Sequence, residues 1–467
     1  MSHASDIDGL GLDSKQQRNR AVVGSSVGTV IEWYDFTLYG LASALVFAPL
    51  FFPGGGDLAG MLGAFATFAV GFGARPIGGL IFAHYGDRVG RKATLLVTLL
   101  MMGAATTIIG LLPTAETIGV WAPIALIFLR IFQGAGAGAE FAGAMTMASE
   151  SSAVQNRAYI AGFPGAAVYL GMALATGTFA LVSLLPSEQF LSWGWRIPFI
   201  ASIVIVAFAL YFRLKVKETA AFEAVEREGE IRRAPLVQAV RDHWRTLLAG
   251  MAIFVFALPW TYVVGTYALS YVTGTLSVNP THALIGLIIA QVLTMPAAPL
   301  FGRLADRIGR KPVLIGAAIF GIAYAFPMFL LFQTENPVLV ALALVIGLAV
   351  IQGSTIGVSA AMLAELFPTS MRWSGIAISR EIPVAIVGGT APLVATALVA
   401  ASGGQPWLVA VYLIALSVVG LVGITFLPET LVSPARAAGS SAGSSSEAAA
   451  TDASAEASAR PTEPARR

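Results

Sequence analysis

About twelve stretches of this chain are long and apolar enough to cross a bilayer, which takes about 20 mostly apolar residues each. They fall at 21–50, 58–84, 93–112, 121–148, 157–185, 195–213, 246–272, 283–302, 312–332, 338–364, 374–401 and 407–428. No lipid-exposed backbone group can turn to water, so a spanning segment must satisfy its own hydrogen bonds as a helix or join a closed barrel. These runs are too long and continuous for barrel strands, which alternate over about 10 residues. Composition agrees: 56% of the 467 residues are hydrophobic and 12% are charged. The expected fold class is an all-α membrane protein. The first 20 residues are polar and the apolar run after them exceeds a signal-peptide core, so it reads as the first span.

The basic residues orient the spans. Arg75, Arg130, Arg196 and Arg380, four of the 28 Lys and Arg, lie within spans or at their edges. With a cytoplasmic N-terminus all the others fall on the cytoplasmic side, and so does the C-terminus. A repeat divides the chain. Gly86-Asp87-Arg88-Val89-Gly90-Arg91-Lys92 recurs as Ala305-Asp306-Arg307-Ile308-Gly309-Arg310-Lys311. Glu150 with Arg157 recurs as Glu365 with Arg372, and Glu218-Thr219 as Glu429-Thr430, at offsets of 219, 215 and 211 residues. The expected organisation is therefore a tail (1–20), a six-helix bundle (21–213), a linker with a surface helix (214–245), a second six-helix bundle (246–430) and a disordered cytoplasmic tail (431–467). Parallel repeats of this kind place a substrate path between the halves near mid-membrane.

Several chemistries are excluded or disfavoured. With no cysteine, disulfides, thiolate metal sites and cysteine nucleophiles are impossible. His3, His84, His243 and His282 are scattered, so no metal site is expected. The Gly-Arg-Lys of residues 90–92 lacks the spacing and strand context of a phosphate loop. A net charge of +2 points to no nucleic-acid partner. The chain is expected to be no enzyme and to use no cofactor.

Ionisable groups inside spans carry the functional signal, because a charge at mid-bilayer costs about 2.5–3.5 kcal/mol on insertion scales and usually faces a cavity or a partner. Glu32, Asp35 and Tyr39 share one face of the first helix. Two carboxylates so close, and out of water, disfavour the doubly charged state and form a candidate proton site. The competing reading of Glu32 or Asp35 is a structural ion pair with an arginine of a neighbouring helix. In the fourth span Arg130, Gln133 and Glu140 lie on one stripe, and Gly134, Gly136 and Gly138 allow a close helix approach. Arg130 can hold a substrate carboxylate or modulate a carboxyl group, and Glu140 joins the proton-coupling candidates. The competing reading of Arg130 is packing and hydrogen bonding against a neighbouring helix. Arg380 and Glu381 are adjacent, hence about 100° apart around their helix, so at most one should face the same sector of the path. Arg75 and Arg196 read as structural. Trp33, Tyr34, Trp260, Tyr262 and Tyr267 are aromatic candidates for the path, with Tyr262 a substrate contact, and Trp193 and Trp195 read as interface anchors. Asp87, Arg88, Arg91, Asp306, Arg307 and Arg310 form two surface turns with structural or gating roles.

At these turns the chain resembles the major facilitator superfamily. Gly302-Arg303-Leu304-Ala305-Asp306-Arg307-Ile308-Gly309-Arg310-Lys311 matches its signature loop. Glu32-Trp33-Tyr34-Asp35-Phe36, Arg75-Pro76-Ile77-Gly78-Gly79, Arg130-Ile131-Phe132-Gln133-Gly134 and Trp193-Gly194-Trp195-Arg196 look like its metabolite:proton symporter family. So do Glu365-Leu366-Phe367-Pro368 and Gly388-Gly389-Thr390-Ala391-Pro392. The resemblance implies twelve helices in two pseudo-symmetric bundles and carriage of shikimate, 2-oxoglutarate, citrate, proline or betaine. Arg380-Glu381 departs from the polar pair that members usually have there.

The resulting expectation is secondary active uptake by alternating access in the bacterial inner membrane. A small organic acid or zwitterion moves with protons, through a monomer embedded in the lipid bilayer. Proton coupling falls to Glu32, Asp35 and Glu140, and substrate binding to Tyr39, Arg130, Gln133, Tyr262, Arg380 and Glu381. The alternatives are a proton-coupled antiporter exporting a metabolite or drug and a non-transporting membrane sensor. The first is disfavoured because Gly162-Phe163-Pro164-Gly165 is not the Gly-Pro-x-x-Gly-Gly run antiporters often carry.

Overall fold

The computed structural model describes residues 14–53, 56–89, 91–138, 156–215, 235–368 and 372–431. Among them every regular element is helical. The first six long helices are α1 (Ser14–Ala42, extended by a π-helical turn and Ala48–Phe51), α2 (Gly56–Val89), α3 (Arg91–Leu111), α4 (Trp121–Ala137), α5 (Arg157–Val182) and α6 (Arg196–Lys215). After them come α7 (Pro235–Tyr262, extended through π turns to Thr275), α8 (Pro280–Ile308), α9 (Arg310–Phe332) and α10 (Pro337–Ile346, running through a π turn into Gly353–Leu366). The last two are α11 (Arg372–Pro383, continued by a π turn and Ala391–Ala401) and α12 (Trp407–Phe426).

Nine described helices are long and apolar enough to cross a membrane, and the bent pair Ser187–Gly194 and Arg196–Phe208 makes a tenth. Leu96–Leu111 and Trp121–Ala137 are shorter apolar helices at the third and fourth predicted spans. The described residues up to Pro428 form one compact unit. α7 begins earlier than the predicted span, at Pro235, and leaves helical geometry at His243 (φ −127°, ψ 24°).

Small residues set the closest approaches. A Cβ on Gly134 of α4 would lie 1.9 Å from the Gly71 carbonyl oxygen of α2, so the two backbones touch there. This is the crossing that the glycines of α4 predict. It brings the helices that carry Arg75 and Arg130 together. Gly309, at φ 108°, makes the tight turn between α8 and α9, a conformation that side chains with a Cβ rarely adopt.

The first six helices meet the last six at both ends. At the end carrying the α8–α9 turn, Asp306 accepts the backbone N–H groups of Ala158 (3.2 Å) and Tyr159 (2.9 Å) at the start of α5. Arg310 is buried against Asp306 (2.9 Å) and Glu365 (3.2 Å), and Glu365 also meets Arg157 (3.4 Å). The predicted surface turn thus ties α5, α8 and α10 together, whereas Arg307 is exposed. At the opposite end the Ser270 hydroxyl lies 3.0 Å from the Met61 sulfur, and Ser183 meets Thr281 at 3.4 Å. Asp87, Arg88 and Arg91 occupy the matching turn, but their side chains lie outside the described residues, as do Glu140, Glu150, residues 216–234 of the predicted linker and the predicted tail from 432 onward.

One sequence expectation is corrected. Trp195 is no interface anchor: it is fully buried, edge-on to Phe47 (5.9 Å), Phe51 (6.0 Å) and Phe199 (5.9 Å). The 43° bend before Arg196 turns it inward, while Trp193 stays 48% exposed. Trp260, a candidate for the path, packs toward the last helix, where its ring N–H donates to Ser417 of α12 (3.1 Å). Arg196 is structural as expected, donating to the Gly110 (3.2 Å) and Leu112 (2.7 Å) carbonyls that end α3.

Candidate functional site

The helical period of α1 sends Glu32, Asp35 and Tyr39 into the bundle, and all three are buried. They do not share one partner. Asp35 accepts a hydrogen bond from Gln133 Nε2 (2.8 Å), which also donates to Thr106 of α3 (2.7 Å). Gln133 Oε1 in turn accepts from Arg130 Nη1 (2.5 Å), as three-residue spacing on α4 allows. Arg130 is fully buried, with its guanidinium over the rings of Tyr39 (4.2 Å) and Phe36 (4.4 Å). Its Nε and Nη2 have no hydrogen-bond acceptor among the described residues. The Tyr39 hydroxyl donates to Thr67 of α2 (2.6 Å).

Glu32 enters a second cluster. Its Oε1 lies 2.7 Å from Arg75 Nη1, and Arg75 Nε lies 2.9 Å from Glu381 Oε2. The Arg380 guanidinium donates to Glu381 as well. The chain of groups is Glu32–Arg75–Glu381–Arg380, running from α1 through α2 to α11. All four are buried. Phe36 joins the two clusters, since the Arg75 guanidinium is 5.0 Å from its centroid and that of Arg130 is 4.4 Å away. Tyr262 of α7 stacks on Trp33 (6.3 Å) and meets Phe72 edge-on (5.0 Å).

The pairing differs from expectation in two ways. The spacing argument kept Arg380 and Glu381 from sharing a partner. In the structure Arg380 bends back onto Glu381 itself: the 100° rule governs where Cβ atoms point, and a guanidinium on a three-carbon stem can reverse that direction. Arg75, read as structural, is the hub between two carboxylates. Its charge inside a span was visible, but both partners lie on other helices and no spacing along one helix reports them.

A cavity of about 30 Å³ lies between α1, α5, α7, α10 and α11. Its walls include Trp33, Tyr169, Thr261, Gln352, Thr355 and Arg380. The Thr261 and Thr355 hydroxyls donate to backbone carbonyls of their own helices (3.2 and 3.0 Å), so their oxygens remain as acceptors. Gln352, Thr355 and Tyr169 were not singled out from the sequence. They are neutral polar or aromatic residues in apolar spans, and nothing in spacing alone marks them. The cavity has room for roughly one or two water molecules. A cavity of this size is smaller than an organic metabolite. No group of three or more His, Asp or Glu among the described residues has metal-site geometry.

A bundle of helices long and apolar enough to cross a membrane, packed around a buried charged cluster and a small polar cavity, is the architecture of a multi-pass membrane protein. The Major Facilitator Superfamily model matches residues 25–379 and 249–461, and the chain belongs to that superfamily. It is 38% identical over 409 residues to the shikimate transporter of Escherichia coli K12, covering 87% of this chain and 93% of the relative. It is also 38% identical to the inner membrane metabolite transport protein YhjE of the same organism, covering 90% of this chain and 97% of that one. The proline/betaine transporter of Salmonella typhimurium is 34% identical, with 90% and 85% covered. Among solved structures, the xylose transporter XylE of E. coli in a partially occluded inward-open conformation superimposes with a TM-score of 0.70 at 17% identity, over 89% of this chain and 99% of that one. The chain is a secondary transporter and not an enzyme.

Proposed function

We propose that this protein is a proton-coupled symporter that takes up a small organic acid across the bacterial inner membrane. It acts as a monomer of twelve spans in two six-helix halves, with both termini cytoplasmic. The observation that carries the reading is the charge balance of the buried site. Arg75, Arg130 and Arg380 face Glu32, Asp35 and Glu381, three against three among the described residues. An organic anion entering this space adds an unbalanced negative charge, which is expensive out of water. One proton per anion restores neutrality. Glu32 and Asp35, with Glu140, are the proton-coupling groups. Arg380 on the cavity wall is the cation for a carboxylate, and Thr261, Thr355 and Gln352 supply acceptors for substrate hydroxyls. Arg130, Gln133, Tyr39, Tyr262 and Glu381 complete the binding region. The turns at Asp87, Arg88 and Arg91 and at Asp306, Arg307 and Arg310 gate the cytoplasmic end.

A zwitterion is the second reading, favoured by Trp33 and Tyr169 on the cavity wall, because aromatic faces attract a substituted ammonium. Voltage separates the two. A monoanion with one proton is electroneutral, whereas a zwitterion with one proton carries a charge worth about 2.3 kcal/mol per 100 mV, or roughly fifty-fold accumulation. In proteoliposomes with an alkaline lumen and the voltage clamped at zero, labelled shikimate is expected to accumulate about tenfold for one unit of pH difference. An added inside-negative potential is expected to leave that figure unchanged. Accumulation of betaine with voltage, and none of shikimate, is the outcome that favours the zwitterion.

A further inference from the structure

We propose that the indole N–H of Trp33 reads the substrate: it donates to a hydroxyl of the bound acid, and so selects hydroxylated acids over acids and zwitterions that lack one. This rests on the organic-acid symport reading and adds to it the feature, beyond the carboxylate, that the site recognises.

Trp33 is 5% exposed and lines the cavity between α1, α5, α7, α10 and α11. Its Nε1 is buried and has no hydrogen-bond acceptor among the described residues. A buried indole N–H ordinarily finds a partner, because an unmade hydrogen bond leaves the desolvation of the group uncompensated.

Trp195 is the useful contrast. Its Nε1 also lacks an acceptor among the described residues. Phe47, Phe51 and Phe199 stand across its ring at 80 to 89°, and ring faces set that way can take an N–H weakly. Trp195 is also not among the cavity-lining residues. Trp33 has a parallel neighbour instead. Tyr262 stacks on it with 14° between the planes, and two stacked rings offer no face to each other's N–H edge. The same stacking takes one of the two indole faces away from a substituted ammonium.

The rest of the wall decides what the missing acceptor is. Thr261 and Thr355 spend their hydroxyl protons on backbone carbonyls (3.2 and 3.0 Å), and Gln352 Nε2 donates to the Ala257 carbonyl (2.5 Å). The oxygens of all three remain as acceptors. The neutral part of the wall thus sets an N–H donor among acceptor oxygens. A hydroxyl answers both, accepting from the indole and giving its own proton to a threonine or to Gln352. A carboxylate accepts but has no proton to give, and a quaternary ammonium does neither. Carboxylate and hydroxyl are therefore read at different points of one wall, the first at Arg380 and the second at Trp33.

The test uses the full-length protein in nanodiscs with benzothienylalanine in place of Trp33. That residue keeps the shape of tryptophan and puts a sulfur where the N–H stood. Binding is measured for matched pairs, shikimate with cyclohexenecarboxylate and citrate with tricarballylate, whose members differ by hydroxyls alone. The variant is expected to lose about fivefold to tenfold in affinity for the hydroxylated member, the yield of one neutral hydrogen bond. Its affinity for the deoxy member is expected to stay unchanged. The same replacement at Trp195 is expected to change neither. Unaltered binding of the hydroxylated acids by the Trp33 variant overturns the proposal. An equal loss for both members of a pair overturns it too, since that reports packing or a carboxylate contact. A second measurement needs no substrate. With its N–H unpaired in the ligand-free protein, Trp33 should be replaceable without loss of stability, so the variant is expected to unfold at the wild-type temperature or above it. A midpoint lower by several degrees means that the N–H already has a partner within the protein, and contradicts the proposal. If the wild type binds none of these acids, the organic-acid reading fails, and the unfolding midpoint still decides whether Trp33 holds an N–H in reserve.

Discussion

Replacing Arg75 with methionine is expected to lower the stability of the purified protein by about 3–5 kcal/mol, the range for breaking a buried ion pair by removing one partner. The guanidinium is 2% exposed and serves two carboxylates, Glu32 at 2.7 Å and Glu381 at 2.9 Å. Methionine fills much of the volume and supplies no charge. Glu381 keeps Arg380, but Glu32 loses the arginine it faces. Removing a carboxylate instead is milder. Glu32→Gln leaves Arg75 on Glu381, and Glu381→Gln leaves it on Glu32, so each should cost less than the arginine. Reversible unfolding in detergent, followed by tryptophan fluorescence, reads the order. A loss under about 1 kcal/mol for Arg75→Met, the range of exposed ion pairs, contradicts the hub role.

Asp35→Asn and Glu32→Gln are each expected to abolish pH-driven accumulation, taking the roughly tenfold gradient down to simple equilibration. The reasons differ. Asp35 is the carboxylate facing Arg130 through Gln133, and an amide there cannot carry a proton on and off. Glu32→Gln removes the competitor of Glu381 for Arg75 and so fastens the tie between the two sets of helices. Asp35→Asn should therefore retain downhill substrate exchange, while Glu32→Gln should slow exchange too. Uphill uptake at the wild-type level in both variants removes these residues from the coupling path.

How much of this was legible in the sequence depends on whether a contact is made within one helix or between helices. Runs of apolar residues mark spans through the transfer cost of each side chain, so nine spanning helices and the bent tenth fall where the hydropathy places them. Period also works within one helix. Arg130 and Gln133, three apart, do hydrogen-bond, and the glycines of α4 do let α2 approach. The ion pair offered for Glu32 as the competing reading is present, but the spacing named no arginine for it. Arg75 and Glu381 are 306 residues apart and meet only because α2 and α11 face each other in the bundle. Trp195 was misplaced for a similar reason: a bend of 43°, which periodicity does not report, carries it from the bilayer side to the core. Glu140 lies outside the described residues, and its part in coupling stays a proposal.

The most direct test of proton symport records lumen pH in proteoliposomes with no imposed pH or voltage gradient while shikimate is added outside. Inward substrate flow should carry protons with it and acidify the lumen, whichever way the protein is inserted, and Asp35→Asn should abolish the signal. Alkalinisation of the lumen on inward shikimate flow means that protons move against the substrate, and it contradicts the account.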